Sequence, residues 1–150
     1  MDGTLLWVED DQNDIHLVGR AMAKVGMGSP TLARDGQEAL DYLSGKGEFA
    51  DRTLHPLPTL IMLDLKLPKR SGLEVLQWLR SQEGLRRIPV LIFTSSKETA
   101  DVNRAYDLGA NAYLVKPVDM KVLLEILRQI LEFWIGTNRF PSVQVMKGTA

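Results

Sequence analysis

Four short apolar runs in this sequence lead directly into residues that could do chemistry. "LLWV" is followed by Glu9-Asp10-Asp11, "LIML" by Asp64, "VLIF" by Thr94-Ser95-Ser96 and "AYLV" by Lys116-Pro117. Brought together, the carboxylates of Glu9, Asp10 and Asp64 would repel one another unless a cation neutralised them. An all-oxygen donor set of this kind suits Mg²⁺, which takes one or two carboxylates and keeps several waters. Lys116 would add a fixed ammonium and Thr94 a hydroxyl donor. A metal, an ammonium and a hydroxyl around one carboxylate form a receptor for a phosphoryl group. Asp64 is then the candidate nucleophile, since a carboxylate can form an acyl phosphate. Taken singly, each residue has a plainer reading: Asp11 as a helix cap, Thr94 as a turn residue, Lys116 as a solvated charge. Their recurrence at four strand ends favours the chemical one.

The elements that must position these groups follow from hydrophobic period. Strand-like runs lie at 5–8, 59–63, 90–93 and 112–115, with a weaker one at 30–33. Helix-period segments separate them, near 12–25, 36–44, 72–82, 97–108 and 120–135. Alternating strand and helix predicts an α/β fold, a doubly wound parallel sheet with helices on both faces. The runs are apolar throughout, as burial on both faces requires. Pro30 suits an edge position for the second strand, since it donates no ladder hydrogen bond. Capping-box spacing at Asp35/Glu38, Ser71/Glu74 and Ser95/Glu98 marks three helix starts, and Asp119 can cap the last helix. Gly26, Gly45, Gly84 and Gly109 stand where helices should stop. In such a sheet, ligands bind at the carboxyl ends of the strands, where the four groups lie.

Composition narrows the class. The chain has 150 residues, 45% hydrophobic and 25% charged, with a formal net charge of −1 and no cysteine. That fits one globular domain, 1–135, followed by an extension, 136–150. The charge balance offers no reason to expect nucleic acid. No apolar run reaches membrane-spanning length, and the N-terminus lacks the basic and apolar regions of a secretory signal, so the cytoplasm is the expected location. Without cysteine there are no disulfides and no thiolate chemistry.

The segments "LLWVEDD", "LIMLDLKLPKRSG", "VLIFTSS" and "AYLVKP" together resemble a receiver domain of the two-component response-regulator family, over about residues 4–135. The resemblance implies a flavodoxin-like five-stranded sheet in order 2-1-3-4-5 with five helices. It implies that Asp64 is the phosphoacceptor and that the donor is a phosphohistidine on a sensor histidine kinase or phosphotransfer protein. Asp10 would ligate Mg²⁺ directly, Glu9 directly or through water, and Asp64 and the backbone carbonyl of Lys66 would complete the protein ligands. Thr94 would bond the phosphoryl oxygens and Lys116 would pair with them. The Lys116–Pro117 bond is expected to be cis, and Tyr113 occupies the position of a switch aromatic coupled to Thr94. Glu9 replaces the commoner aspartate of the family. The Lys66 side chain, two residues after Asp64, is expected to point into solvent. A long loop at 46–58 and the "EFW" and "RFP" segments also resemble receiver-only regulators paired with phytochrome-type photoreceptor kinases. The expected function is a stand-alone phosphorylation switch that signals by protein contact.

The last helix raises a separate expectation. On a wheel, the apolar residues of 120–135 fill an arc of about 220°, where docking on one's own domain needs a stripe of little over ~100°. The excess, with Leu124, Leu127, Leu131 and Trp134 in it, predicts either a homodimer through this helix or a tail folded back so that Phe140, Val143 and Val145 cover it.

Two other classes compete. A haloacid-dehalogenase-like phosphatase also begins from a strand-end aspartate, but needs a second acid two residues on, where Lys66 stands. A flavodoxin-like FMN carrier needs a hydroxyl- and glycine-rich loop after the first strand, where this chain has "EDDQND".

Overall fold

The computed structural model describes residues 4–144. Five parallel strands, β1 (Leu5–Val8), β2 (Thr31–Ala33), β3 (Leu60–Leu63), β4 (Val90–Thr94) and β5 (Ala112–Val115), form one sheet in the order β2-β1-β3-β4-β5. They alternate with α1 (Gln12–Val25), α2 (Gly36–Ser44), α3 (Gly72–Ser81), α4 (Thr99–Asp107) and α5 (Met120–Gln129). The expected fold class and strand order are therefore observed. In register, Val8 lies beside Leu63 and Leu63 beside Ile92, while Thr94 lies beside Val115. Glu9, Asp64, Thr94 and Lys116 consequently emerge at one edge of the sheet.

Why the strands read as unbroken apolar runs is visible in how they divide their side chains. Successive residues of a strand point to opposite faces. Leu6, Val8, Ile61, Leu63, Val90 and Ile92 pack beneath α2, α3 and α4. Leu5, Trp7, Leu60, Met62, Leu91 and Phe93 pack beneath α1 and α5. Both sets must be apolar because both faces are covered. Strand β2 has one buried residue of three, and Pro30 precedes it at the sheet edge.

The caps largely agree with the expectation. Asp11, Asp35, Ser71 and Asp119 accept backbone N–H bonds at the starts of α1, α2, α3 and α5, and Ser71 with Glu74 forms a reciprocal capping box. Helix α4 departs from it. Ser95 does not cap; the loop runs on to Glu98, which holds the cap position without a side-chain bond. Ser96 instead accepts from the Glu98 N–H at 3.3 Å and donates to Asp101. Gly84 does not stop α3 either, since the helix ends at Ser81 with Gln82 as its cap. Gly84 permits a close approach instead: a Cβ there would lie 2.8 Å from the Gln144 carbonyl oxygen.

That contact belongs to the tail. Beyond Gln129 the chain continues as a π-helix, Ile130–Thr137, then turns back. Phe140 packs with the α1 and α5 layer, Val143 with the opposite layer, and the Gln144 N–H donates to the Gly84 carbonyl at 2.9 Å. Val145 lies outside the described residues. The assignment of the last helix's excess arc needs correction. Leu124 is 8% exposed and Leu127 fully buried, both in the domain's own core. Helix α5 packs against α1 as well as the sheet, and two neighbours use a wider apolar arc than one. The π-helical segment then turns less per residue than a 100° wheel assumes. Leu131 and Trp134 end half-buried, with Trp134 packed into that same layer. The exposed apolar side chains of this region are Met120, Val122 and Phe133.

Candidate functional site: a lysine among three carboxylates

Asp64 follows the last residue of β3, and its N–H donates to the Val8 carbonyl at 3.1 Å, extending the ladder by one bond. The residue is 7% exposed. The loop after it folds back tightly. The Gly72 N–H donates to the Leu65 carbonyl at 2.8 Å, and a Cβ on Gly72 would overlap the Asp64 carbonyl oxygen. Only glycine permits this approach. At the loop's far side Lys69 takes a positive φ of 68° and pairs with Asp35 at 3.6 Å, tying the β3–α3 loop to the start of α2.

The ammonium of Lys116 sits at the centre of the site. Its Nζ donates to Asp64 Oδ2 at 2.7 Å and to Asp14 Oδ2 at 2.8 Å. Glu9 Oε1 lies 2.6 Å away as an ion pair without hydrogen-bond geometry. Burial alone would push the Asp64 carboxyl up, but the Lys116 hydrogen bond and charge outweigh it and hold Asp64 below the usual carboxylate range. For Glu9 the balance reverses. It is fully buried, and desolvation, with the Asp64 charge beside it, pushes its carboxyl up to about 7 despite Lys116. Desolvation would lower the Lys116 ammonium, and the three carboxylates together raise it above its ordinary value instead.

Thr94 Oγ1 is buried at the end of β4 and has no hydrogen-bond partner. A buried hydroxyl without one costs about 1–3 kcal/mol, so a ligand oxygen delivered here would be stabilised. Beyond it, the Tyr113 hydroxyl donates to the Ser96 carbonyl at 3.0 Å, and burial pushes that phenol up. Tyr113 is half-buried and packs at the edge of the α2, α3 and α4 layer.

The structure thus gathers Glu9, Asp64, Thr94 and Lys116. Asp10, adjacent to Glu9 in the chain, is exposed and makes no ion pair with Lys116, and among the described residues no three acidic or histidine side chains converge as a metal cage. The donors nonetheless fit a divalent cation. Glu9 and Asp64 are within two contact lengths of each other through Nζ, all candidate ligands are oxygens, and Glu9 Oε1 lacks a hydrogen bond. The Lys66 side chain is exposed, as expected, and its N–H donates weakly to Asp64 Oδ1 at 3.4 Å. The Lys116–Pro117 bond is a correction, because every peptide bond among the described residues is trans. The trans form is the favoured isomer by about 0.5–1 kcal/mol even before proline, and Lys116 makes its three contacts with it. Sequence reasoning missed Asp14. Its only signal was position, in the first turn of the helix that follows Glu9-Asp10-Asp11.

Comparison with known proteins agrees with this geometry. The sequence matches the response regulator receiver domain over residues 5–128. It is 40% identical over 142 residues to the probable methanogenesis regulatory protein FilR2 of Methanothrix harundinacea, covering 92% of this chain and 87% of that protein. The crystal structure of the phosphorylated cyanobacterial phytochrome response regulator RcpA superposes with a TM-score of 0.85 at 38% identity, covering 95% of this chain and all of that one. The Mn²⁺-bound form of the response regulator Rcp1, from Synechocystis, gives 0.82 at 35% identity, covering 93% and 99%. With the fold, the strand order and nearly the full length of these relatives in common, this chain belongs to the response regulator receiver domain family.

Proposed function

We propose that the chain accepts a phosphoryl group on Asp64 from a phosphohistidine on a sensor histidine kinase or phosphotransfer protein, and that it signals by protein contact rather than turning over a substrate. One observation carries this. A strand-end carboxylate kept ionised by Lys116 lies next to a buried hydroxyl, Thr94 Oγ1, that lacks a partner. Mg²⁺ is the cation we assign, held by Glu9, Asp10, Asp64 and the Lys66 carbonyl. When bound it supplies positive charge to the transferring phosphoryl oxygens. Asp64, fixed by the β1–β3 ladder and the Gly72 contact, presents one oxygen for in-line attack. Lys116 then pairs with an oxygen of the arriving group, and Thr94 donates to another. Asp64→Asn should lose all labelling by acetyl phosphate with Mg²⁺, read by intact mass; full labelling would refute the assignment.

Signal transfer is assigned to Thr94 and Tyr113. Thr94 is drawn toward the phosphoryl group, and the Tyr113 ring, tied through its hydroxyl to the β4–α4 loop, follows as a two-state element. Thr94→Ala should still be labelled at Asp64, yet its Tyr113 side chain should give the same NMR signals with and without beryllofluoride, a phosphoryl mimic. A wild-type-like shift would move the coupling elsewhere. A homodimer is kept as a second element of the proposal because Met120, Val122 and Phe133 remain exposed on the last helix after the tail has folded back. The tail, joined to both layers by Phe140 and Val143, belongs in this reading to the same folded unit as the receiver.

A further inference from the structure

Lys116 carries three donor protons, and the third carboxylate they meet belongs to none of the groups assigned to phosphoryl transfer. Asp14 lies on α1, its side chain about one-third exposed, and its Oδ2 accepts from Lys116 Nζ at 2.8 Å, nearly as close as Asp64 at 2.7 Å. A cation held by Glu9 and Asp64 would draw both of those carboxylates away from the ammonium. Asp14, fixed in the first turn of α1, would keep its hold. Nor is Asp14 the sole anchor of Lys116, whose side chain is only 10% exposed and whose ammonium also meets Glu9 and Asp64. What Asp14 adds is negative charge on the ammonium that must receive a phosphoryl oxygen. It also stands within two hydrogen-bond lengths of the Asp64 oxygen to which that group attaches.

We propose that Asp14 is a positioning residue that competes for Lys116 and weakens retention of the phosphoryl group. The proposal rests on Asp64 being the phosphoacceptor. Its chemistry is electrostatic. An ammonium already paired with a carboxylate attracts a dianion less, and the carboxylate itself repels the dianion across a partly solvated gap. Because the pocket mouth is solvated at Asp14, the effect is moderate and sensitive to salt.

The test measures the affinity for beryllofluoride at saturating Mg²⁺ by fluorine NMR, for the wild type, Asp14→Asn and Asp14→Glu, with acetyl phosphate labelling of the wild type alongside. Asp14→Asn keeps the shape and removes the charge. It should bind beryllofluoride about three- to tenfold more tightly, as expected for one unit charge at a half-solvated site. That gain should shrink in 0.5 M salt. Asp14→Glu, which restores the charge, should return toward wild-type affinity. A loss of packing alone would not produce tighter binding, salt dependence or rescue by charge. Unchanged or weaker binding by Asp14→Asn, with wild-type labelling intact, would overturn the role of Asp14 alone. A wild type that accepts neither acetyl phosphate nor beryllofluoride would overturn the phosphoacceptor reading and this inference with it.

Discussion

Replacing Lys116 with methionine tests the electrostatic account of the site most directly. The change keeps much of the apolar stem and removes the charge that faces Glu9, Asp14 and Asp64 at 2.6–2.8 Å. Glu9 is fully buried and Asp64 nearly so, which leaves them without a counter-charge. Removing one partner of a buried pair costs about 3–5 kcal/mol. For a chain of this size that lowers the melting temperature by about 10 °C. The cost should depend on pH in a definite direction. Glu9 already titrates at about 7 in the folded protein, above its ordinary 4.5, and loss of Lys116 removes what restrains it. A carboxyl raised on folding contributes stability that is fully present below its unfolded value and lost as pH rises through its folded one. The variant's deficit should therefore be smaller at about pH 5, where only the lost pairing of Asp64 remains, than at about pH 8, where Glu9 is ionised as well. Mg²⁺ at a hundredfold over its dissociation constant should recover about 2.7 kcal/mol at the higher pH. Urea unfolding of both proteins at the two pH values, with and without Mg²⁺, checks all three statements. A deficit under about 1 kcal/mol at pH 8 without metal would fall below the range expected for a buried pair, and would refute the reasoning. So would a deficit that does not shrink at pH 5.

Two further outcomes follow from the same geometry. Mg²⁺ must compete with a proton on Glu9, so its affinity should weaken as pH falls below about 7, by up to tenfold per unit; calorimetry from about pH 5.5 to 8 measures this, and a flat profile would remove Glu9 from the ligand set. Val122→Glu with Phe133→Glu should convert a wild-type dimer to a monomer in sedimentation while Asp64 still labels, whereas Leu124→Glu should unfold the domain because Leu124 is core; a wild type that is monomeric with and without beryllofluoride would end the dimer proposal.

What the sequence determined by itself was local or periodic. Both-face burial forces unbroken apolar strands, so β1, β3, β4 and β5 and the doubly wound sheet could be read from the apolar runs, although the exact order 2-1-3-4-5 came from family resemblance. Side-chain caps act across three residues, so the starts of α1, α2, α3 and α5 were legible too. Glu9, Asp64, Thr94 and Lys116 stood out because each follows a strand, and parallel strands bring their carboxyl ends to one edge. Tertiary structure alone decided the rest. Asp14 meets Lys116 across 102 residues of chain, a contact that no local pattern encodes. That the Lys116 ammonium reaches the buried Glu9 carboxylate at 2.6 Å is likewise a distance that no helical wheel or motif carries. The apolar arc of α5 was read as surplus because a wheel knows one neighbour at a time. Helix α1 was the second neighbour, and the π-helical turns beyond Gln129 changed the phase. Leu124 and Leu127 are therefore core, and the surface is left to Val122 and Phe133.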